Sequence, residues 1–562
     1  MTTLKARQTN CTLCSLACAL GFDSTPFGRI QPAYPGETRE LRHGICGRGH
    51  LNYELVDHPL RLEQPLVRRN DRLLPTPLAE VAQRLATKLA TEPTLVMIDG
   101  SLPVEDIAAA ASLTRLLGRN AVFSVYMDPG DIGGLMGIAA SGAAILTPER
   151  LAYCDAVLCI GDAFGSHPVI SRAVHAISRR NPRRLFAVID SVASRTARFS
   201  NRFLQIRPGS TSLVLQHLAG EDVSAAQAAA KADIAEADLS TLAASLKKTN
   251  KLAVLVSCAF GRDQDPEAVG LLAGKIAAKT SGGVVPLPLL GNAWGALGAA
   301  KALQAVPNGN ALEQLASGQF KNVLLLGINP AVETPFKGVS EALGTASTLI
   351  IATYLKPGAS ELGHAFLPLA APVETSGTLV NGSGEVVALD AVVNPPAGAL
   401  TVRQIAQAFA EPLSQGPAIS TSAQPAWLEP AAVSPVACLE TEVVLVEPRT
   451  GELVAVGEAG CVHLGSGALS TRLAWPNVFE NLPDIRISTE DASHRGLTND
   501  QEVTVTSSNG TARMRLKLDH AMKPGRAALL VTSPAVRPLF NWRKSTDGRL
   551  TSGPVAIRIG PS

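Results

Sequence analysis

The chain has 562 residues, 46% of them apolar and 17% charged. That is too long for one hydrophobic core and too apolar for a disordered chain, so several well-buried domains are expected. A formal charge of +2, from 50 basic and 48 acidic residues, gives no electrostatic basis for binding nucleic acid or an anionic membrane, and no stretch approaches the roughly 18 uninterrupted apolar residues of a membrane span.

The opening "MTTLKARQTN" has neither an apolar core nor a twin arginine, so a reducing, cytoplasmic compartment is expected. Three cysteines follow at once, Cys11, Cys14 and Cys18, and a fourth, Cys46, lies in "GICGRGH". Thiolates are soft ligands that suit iron–sulfur clusters or zinc. Four-cysteine zinc sites usually come as two C-x2-C pairs. Here one loop supplies three ligands and a distant segment the fourth, which suits three corners of a cubane and its closure. A [4Fe–4S] cluster is therefore expected, with zinc the alternative. Leu13, Leu16, Ala17, Ala19 and Leu20 would keep it dry. Gly44, Gly47 and Gly49 would let backbone amides approach it. Arg48 places a positive charge two residues after the last ligand, unless it is an ordinary solvated arginine. The scattered Cys154, Cys159, Cys258, Cys438 and Cys461 read mostly as buried, inert residues.

Beyond the cysteines, "TPLAEVAQRLATKLATEP" has helical spacing, with Leu78, Val81, Leu85 and Leu89 on one face. "TLVMIDG" reads as a buried parallel strand, followed by a helix in "PVEDIAAAASLTRLLGR" and a strand in "NAVFSVYMDPGD". "CDAVLCIGDAFGSHPVISRAVHAISRRNPRRLFAVIDS" repeats strand, loop, helix, strand, and further strands are expected in "KLAVLVSCA", "NVLLLGINP" and "STLIIATYL". Ligands of open α/β sheets gather beyond such strand ends. Gly161, Asp162 and Gly165, before a helix, suit a phosphate cradle or a simple turn. Residues 411–437, rich in Pro, Ser and Ala, read as a linker. Short alternating strands follow, as in "EVTVTSSNGTARMRLKL" and "PVAIRIG", so the chain is expected to close with a β-barrel. The expected order is a cluster domain over 1–65, interleaved α/β domains over 66–410 (66–150 with 300–410, and 151–299), the linker, and the barrel over 438–562.

The pattern "CTLCSLAC…GICGRGH", followed by "HPLRLEQPLVR", resembles the start of the molybdopterin oxidoreductase superfamily. That superfamily includes formate dehydrogenases, formylmethanofuran dehydrogenases and the large iron–sulfur subunit of NADH–quinone oxidoreductase. "LPLAAPVETSGTLVNGSGEV" and "HLGSGALSTRLAWPN" are similar to its middle and to its dinucleotide-binding domain. The resemblance implies a pterin-held Mo or W, bound as molybdopterin guanine dinucleotide and acting on formate or a formyl carrier. It implies Arg48 as a mediator of electron transfer. No flavin or nicotinamide fingerprint of G-x-G-x-x-G type follows a strand, so partner subunits bearing iron–sulfur clusters, flavin or both are expected. The resemblance also implies cofactor contacts at Asp190, Arg195, Arg207, Gly209, Asn381, His463 and Ser466, in addition to the candidate cradle Gly161, Asp162 and Gly165.

The sequence departs from that pattern at two places. Where the family usually shows Asp-Pro-Arg, Asp190 is followed by Ser191 and Val192, and Asp190 could instead cap a helix, with Ser194 as its competitor. The segment where active members commonly carry a metal ligand reads "VYMDPGDIGGLMGIAASG" and has no cysteine. Asp128 and Asp131 are its only hard ligands, and turn chemistry explains both equally well. His167 and His364, at expected strand ends, are candidate catalytic partners or structural histidines. Two further readings stay open: a pterin-free electron relay, and an interaction module stabilised by zinc.

Overall fold

The computed structural model of the chain describes residues 7–24, 30–32, 44–181, 183–257, 260–358, 361–413, 443, 445–480, 483–545 and 547–562. Cys258, Cys438 and the expected linker beyond residue 413 lie outside the described residues. The chain divides into two compact units. The first comprises Met1–Met127, Leu290–Ala431 and Trp542–Leu550, and the second Asp128–Leu289, Ala432–Asn541 and Thr551–Ser562.

The first unit is built on a seven-stranded sheet. In spatial order its strands are Arg72–Pro75, Leu66–Arg69, Ala365–Pro368, Thr348–Thr353, Asn322–Leu326, Thr94–Asp99 and Ala121–Tyr126. The last five run parallel, and the first two add an antiparallel edge. Helices cover both faces, so the central strands are apolar without alternation; every residue of Asn322–Leu326 is buried. Met97, Leu325, Ile351 and Phe366 meet in one core cluster. The helix Leu78–Thr91 buries Val81, Ala82, Ala86 and Leu89, while Leu78 and Leu85 are half-buried. Its buried face is therefore turned slightly from the leucine line that spacing alone suggests. A small antiparallel sheet, Arg7–Asn10, Ala19–Ser24 and Ile30–Pro32, precedes all this, and the cysteine loop joins its first two strands.

The second unit contains a five-stranded parallel sheet in the order Arg202–Gln205, Phe186–Asp190, Ala156–Ile160, Leu252–Ser257, Gly283–Leu287. It also contains a closed six-stranded barrel, Leu453–Glu458, Arg526–Leu530, Asp484–Ser488, Thr511–Asp519, Glu502–Thr506 and Val555–Pro561. Closure leaves no unpaired edge, and the first six residues of Thr511–Asp519 alternate exposed and buried side chains as a barrel wall requires. The mixed α/β class with a C-terminal barrel is thus as the sequence predicts.

The segment after Met127 is a helix, Pro129–Ser141, rather than the turn that its sequence suggests. Asp128 caps it by accepting from the Gly130 amide, and Pro129 occupies the first helical position, where its missing N–H costs nothing. The glycines that follow bring this helix onto Pro266–Ala277 backbone to backbone. A Cβ at Gly137 would run into the Glu267 carbonyl, and one at Gly270 into the Gly134 carbonyl.

Candidate functional site

The cysteine loop of the first unit is closed by its own backbone. The Cys11 amide donates to the Cys18 carbonyl (2.8 Å) and the Ala17 amide to the Cys14 carbonyl (3.1 Å). Ala17 takes a left-handed φ of 45°, a strained conformation for a non-glycine residue and one that loops around bound groups tolerate. Gly44, at φ 72°, turns the second segment, and the Gly49 amide closes onto the Cys46 carbonyl (3.0 Å). Asn52 ties the segments together by donating to the Cys11 sulfur at 3.6 Å.

Cys11 and Cys14 are buried, Cys18 and Cys46 half-buried. Burial pushes the Cys11 thiol well up, and the nearby Cys14 and Cys46 push it further. Cys18 is raised by burial and then by Cys14, Cys11 and Cys46. The four thiols therefore lie within range of one another's charge, an arrangement that repels itself unless a cationic centre neutralises it. Among the described residues, no three or more His, Cys, Asp or Glu side chains converge closely enough to hold a single metal ion. Arg48, two residues beyond Cys46, is 1% exposed, so it is not a solvated surface arginine.

The loop is braced from the sheet side. The Gly382 amide donates to the Ser15 carbonyl (2.9 Å), and the Trp294 indole holds the Gly382 carbonyl (3.0 Å). Asn381 shapes that turn by accepting from the Ser383 and Glu385 amides, both at 2.9 Å. A Cβ at Gly291 would strike the Thr12 carbonyl. Asn381 thus sits in the brace of the cysteine loop, a position its sequence context does not reveal.

At the carboxyl ends of the second unit's sheet, the chain meets its own charges. Gly161 turns with φ 81°, and Asp162 Oδ1 accepts from the Gly165 amide (3.1 Å), the Thr196 amide (3.0 Å) and Thr196 Oγ1 (2.6 Å). Of the expected phosphate cradle, the Gly165 amide holds a carboxylate here, and the Gly161 amide donates to the Ile189 carbonyl (3.0 Å). Asp190 pairs with Arg262 and accepts from the Ser191 amide (2.7 Å). It caps no helix. Burial raises the Asp190 carboxyl, Arg262 opposes that, and Asp162 adds to it.

The loop beside the barrel repeats this theme. Glu480 accepts from three consecutive amides, Cys461 (3.1 Å), Val462 (3.3 Å) and His463 (3.4 Å), and from Arg195 (3.3 Å). Arg195 also contacts the sulfur of Cys461, which is half-buried and so unlike the buried Cys154 and Cys159. His463 lies between Ser470 Oγ and the Glu480 carbonyl, both at 3.0 Å, and Ser466 accepts from the Ala468 amide (3.1 Å). Arg207 pairs with Glu447 (2.7 Å), and Gly209, at φ 82°, turns the chain before the helix Thr211–Ala219. Arg262, Glu480 and Arg486, which grips Glu458 through both oxygens and reaches Asp519, were not singled out by sequence. An arginine a few residues beyond a buried strand was the one readable signal.

The four candidate catalytic residues all make structural bonds. Asp128 caps its helix and accepts from Arg537 (3.0 Å). Asp131 is 2% exposed and accepts from the Leu289 amide (3.0 Å); burial, and then the Asp128 charge, push its carboxyl well up. His167 is fully buried between Ser166 Oγ and the Pro288 carbonyl, both at 2.9 Å. His364 is exposed and accepts from the Leu349 amide (3.0 Å). It precedes Ala365–Pro368 and so stands at the amino end of the parallel strands, opposite the edge where ligands gather.

The model of the molybdopterin oxidoreductase family matches residues 61–412, and that of the molydopterin dinucleotide binding domain matches residues 462–548. The chain belongs to the molybdopterin oxidoreductase family. It is 22% identical to the F420-dependent formate dehydrogenase subunit alpha of Methanocaldococcus jannaschii, over 73% of this chain and 71% of that one. It is 24% identical to an NADH-quinone oxidoreductase subunit of Streptomyces coelicolor, over 98% of this chain and 70% of that one. The solved acetylene hydratase from Pelobacter acetylenicus shares the fold, with a TM-score of 0.75 and 13% identity, over 99% of this chain and all of that one.

For a molybdopterin oxidoreductase, the question is whether the strand ends of the second unit suit a dinucleotide. Asp162 Oδ2, Asp190 Oδ2, and Arg262 Nε and Nη2 are buried without a hydrogen-bond partner among the described residues. Leaving charged groups so is costly. Two acceptor oxygens beside two donor nitrogens are the complement of a polar, planar group such as a purine edge. The residues present therefore fit a nucleotide end, and a bound group would relieve the deficit.

Proposed function

We propose that this chain is the redox subunit of an oxidoreductase complex, that Cys11, Cys14, Cys18 and Cys46 hold a [4Fe–4S] cluster, and that the second unit holds a molybdopterin guanine dinucleotide carrying Mo or W. The observation that carries the reading is the convergence of four thiols within range of one another's charge, three from one buried loop and one from a second segment. A cubane spreads its ligands over four corners, so it asks for convergence without the closeness a single ion needs. The bound metal would supply two-electron chemistry on formate or a formyl carrier, a substrate class supported by the name of a relative.

The chain's own part is to bind, to orient and to exclude water. Cys11 and Cys14 keep the cluster out of solvent, and the brace through Ser15, Gly382 and Trp294 fixes their loop. Arg48, buried beside Cys46, holds a positive charge next to the cluster and favours an electron arriving there. Asp190, Arg262 and Asp162 would read the nucleotide end. Partner subunits with clusters or flavin would take the electrons onward; the relatives being named as subunits supports this. No helix among the described residues is long and apolar enough to cross a membrane.

A second reading, a pterin-free relay, is favoured by one observation: Asp128, Asp131 and His167 are all engaged in structural bonds. Metal analysis of protein purified without oxygen separates the two. Four irons with Mo or W, and guanine nucleotide released by acid, are expected for the first; four irons alone would establish the second. Cys14→Ser should abolish the low-temperature EPR signal of the reduced cluster while leaving the far-UV dichroism of the two sheet domains in place. Colourless, iron-free wild-type protein would end both readings.

A further inference from the structure

In the first unit a cavity of about 20 Å³, room for one water molecule, opens at the carboxyl ends of the parallel strands. Its polar lining comes from Thr12, Ser101, Asp106, Tyr354, Thr375 and Thr401. Thr12 lies between Cys11 and Cys14 in the cysteine loop. Asp106, on the helix Val104–Leu117, supplies the carboxyl and is 1% exposed. The cavity therefore connects a buried carboxyl to the loop that would carry the cluster.

The hydrogen bonds of Asp106 are one-sided. The Arg403 amide (3.1 Å) and Arg403 Nε (3.0 Å) both donate to Oδ1, which leaves Oδ2 to take a proton. The charged and titratable groups facing Asp106 are Arg403 from the helix Val402–Ala410, Glu105 beside it, and Tyr354 across the cavity. Asp99, Arg61 and Glu374 lie beyond Tyr354. Burial raises the Asp106 carboxyl to about 6, with Arg403 pulling the other way and Glu105 adding to the rise. A carboxyl poised there changes protonation with a small change in local charge.

We propose that Asp106 is a proton-loading site for the N-terminal iron–sulfur centre: it takes up one proton when the centre gains an electron and releases it when the electron leaves. The inference rests on the assignment of a cluster to Cys11, Cys14, Cys18 and Cys46. The balance is simple. One electron enters the cluster, and one proton passes from bulk water through the cavity to Asp106 Oδ2. No bond to iron or sulfur forms or breaks. The added negative charge makes a second negative charge on Asp106 less favourable, so its proton affinity rises; by linkage, protonating Asp106 makes the cluster easier to reduce by the same factor.

The test is an EPR-monitored reductive titration of the full-length, cluster-bearing chain between pH 5.5 and 9. The midpoint potential should fall as pH rises over a window that begins near the oxidised-state value of Asp106. At full coupling the slope reaches a tenfold change in the reduction equilibrium per pH unit, about 59 mV for one electron. Asp106→Asn keeps the acceptor for Arg403 but cannot ionise. Its potential should be flat and lie at the wild-type low-pH value. Asp106→Glu should keep a slope. A pH-independent potential in iron-loaded wild type, or an unchanged slope in Asp106→Asn, would overturn the proposal alone. An iron-free wild type would overturn the cluster assignment and the proposal together.

Discussion

The two units each carry a parallel sheet, and each buries an arginine–carboxylate pair near the carboxyl ends of its strands, in different company. In the second unit the chain's own charges gather there: Asp162, held by the Gly165 and Thr196 amides, and Asp190 against Arg262. In the first unit the corresponding edge keeps a small polar cavity between Asp106 and the cysteine loop, with the Arg61–Glu374 pair buried nearby. Both edges bury charged atoms without a partner among the described residues: Asp162 Oδ2, Asp190 Oδ2, Arg262 Nε and Nη2 in the second unit, and Arg61 Nε and Nη1 and Glu374 Oε1 in the first. What the first unit adds is a buried carboxyl, Asp106, beside a water-sized polar cavity that a proton could enter.

The largest effect should come from breaking the stored charge of the second unit. Arg262→Met removes the cation that Asp190 pairs with and that also faces Asp162, leaving Asp190 with the Ser191 amide (2.7 Å). Removing one member of a buried pair typically costs about 3–5 kcal/mol. Arg61→Met in the first unit takes the cation from Glu374, which likewise keeps one backbone amide, that of Ala371 (2.7 Å), whereas Arg262 faces two carboxylates, Asp190 and Asp162. Urea melts should place Arg262→Met at the upper end of that range and Arg61→Met at the lower. Equal losses would mean that the second unit's crevice carries no special charge burden.

How much of this contrast could be read from sequence depends on the range of the interaction. Strands such as Asn322–Leu326 and Thr348–Thr353 were legible because an apolar run is a local signal. The cysteines were legible because their chemistry is rare and their spacing short. The helix after Met127 was missed because its proline and glycines read as a turn; Pro129 starts the helix, and Gly133, Gly134 and Gly137 serve a neighbour more than a hundred residues away. Arg262 was missed for the same reason, since nothing local ties it to Asp190. Asp106 is, by local sequence, one of two acidic residues in the first turn of a helix, and only the fold brings Tyr354 and Thr12 to the same cavity.

A smaller effect sharpens the first unit's side of the comparison. Burial, against the pull of Arg403, pushes the Asp106 carboxyl up to about 6 in the folded chain, above the ordinary aspartate value of 3.8. The folded state thus holds the proton more tightly than the unfolded one. Its contribution favours the native state at low pH and is lost as pH rises from about 4 to about 6, after which it is flat. Asp106→Asn removes that loss. The variant should match wild type near pH 4 and exceed it at pH 8 by on the order of 2 kcal/mol. Denaturant midpoints at the two pH values check this; a constant difference would show that Asp106 does not change charge in that window.

The smallest effect belongs to Arg195, and it tests why the second unit holds its carboxylates as it does. Arg195 is nearly half exposed, and Glu480, its partner at 3.3 Å, is held independently by the amides of Cys461, Val462 and His463. Screening by solvent and salt makes such an outer pair worth no more than about 1 kcal/mol. Arg195→Ala should therefore shift the thermal midpoint by only a few degrees, and less at high salt. The backbone ring, unlike Arg195, cannot be removed by substitution. If Arg195→Ala costs as much as Arg262→Met, side-chain cations rather than backbone amides hold the anionic groups throughout this unit, and the distinction between an amide-ringed Asp162 and an arginine-paired Asp190 loses its force.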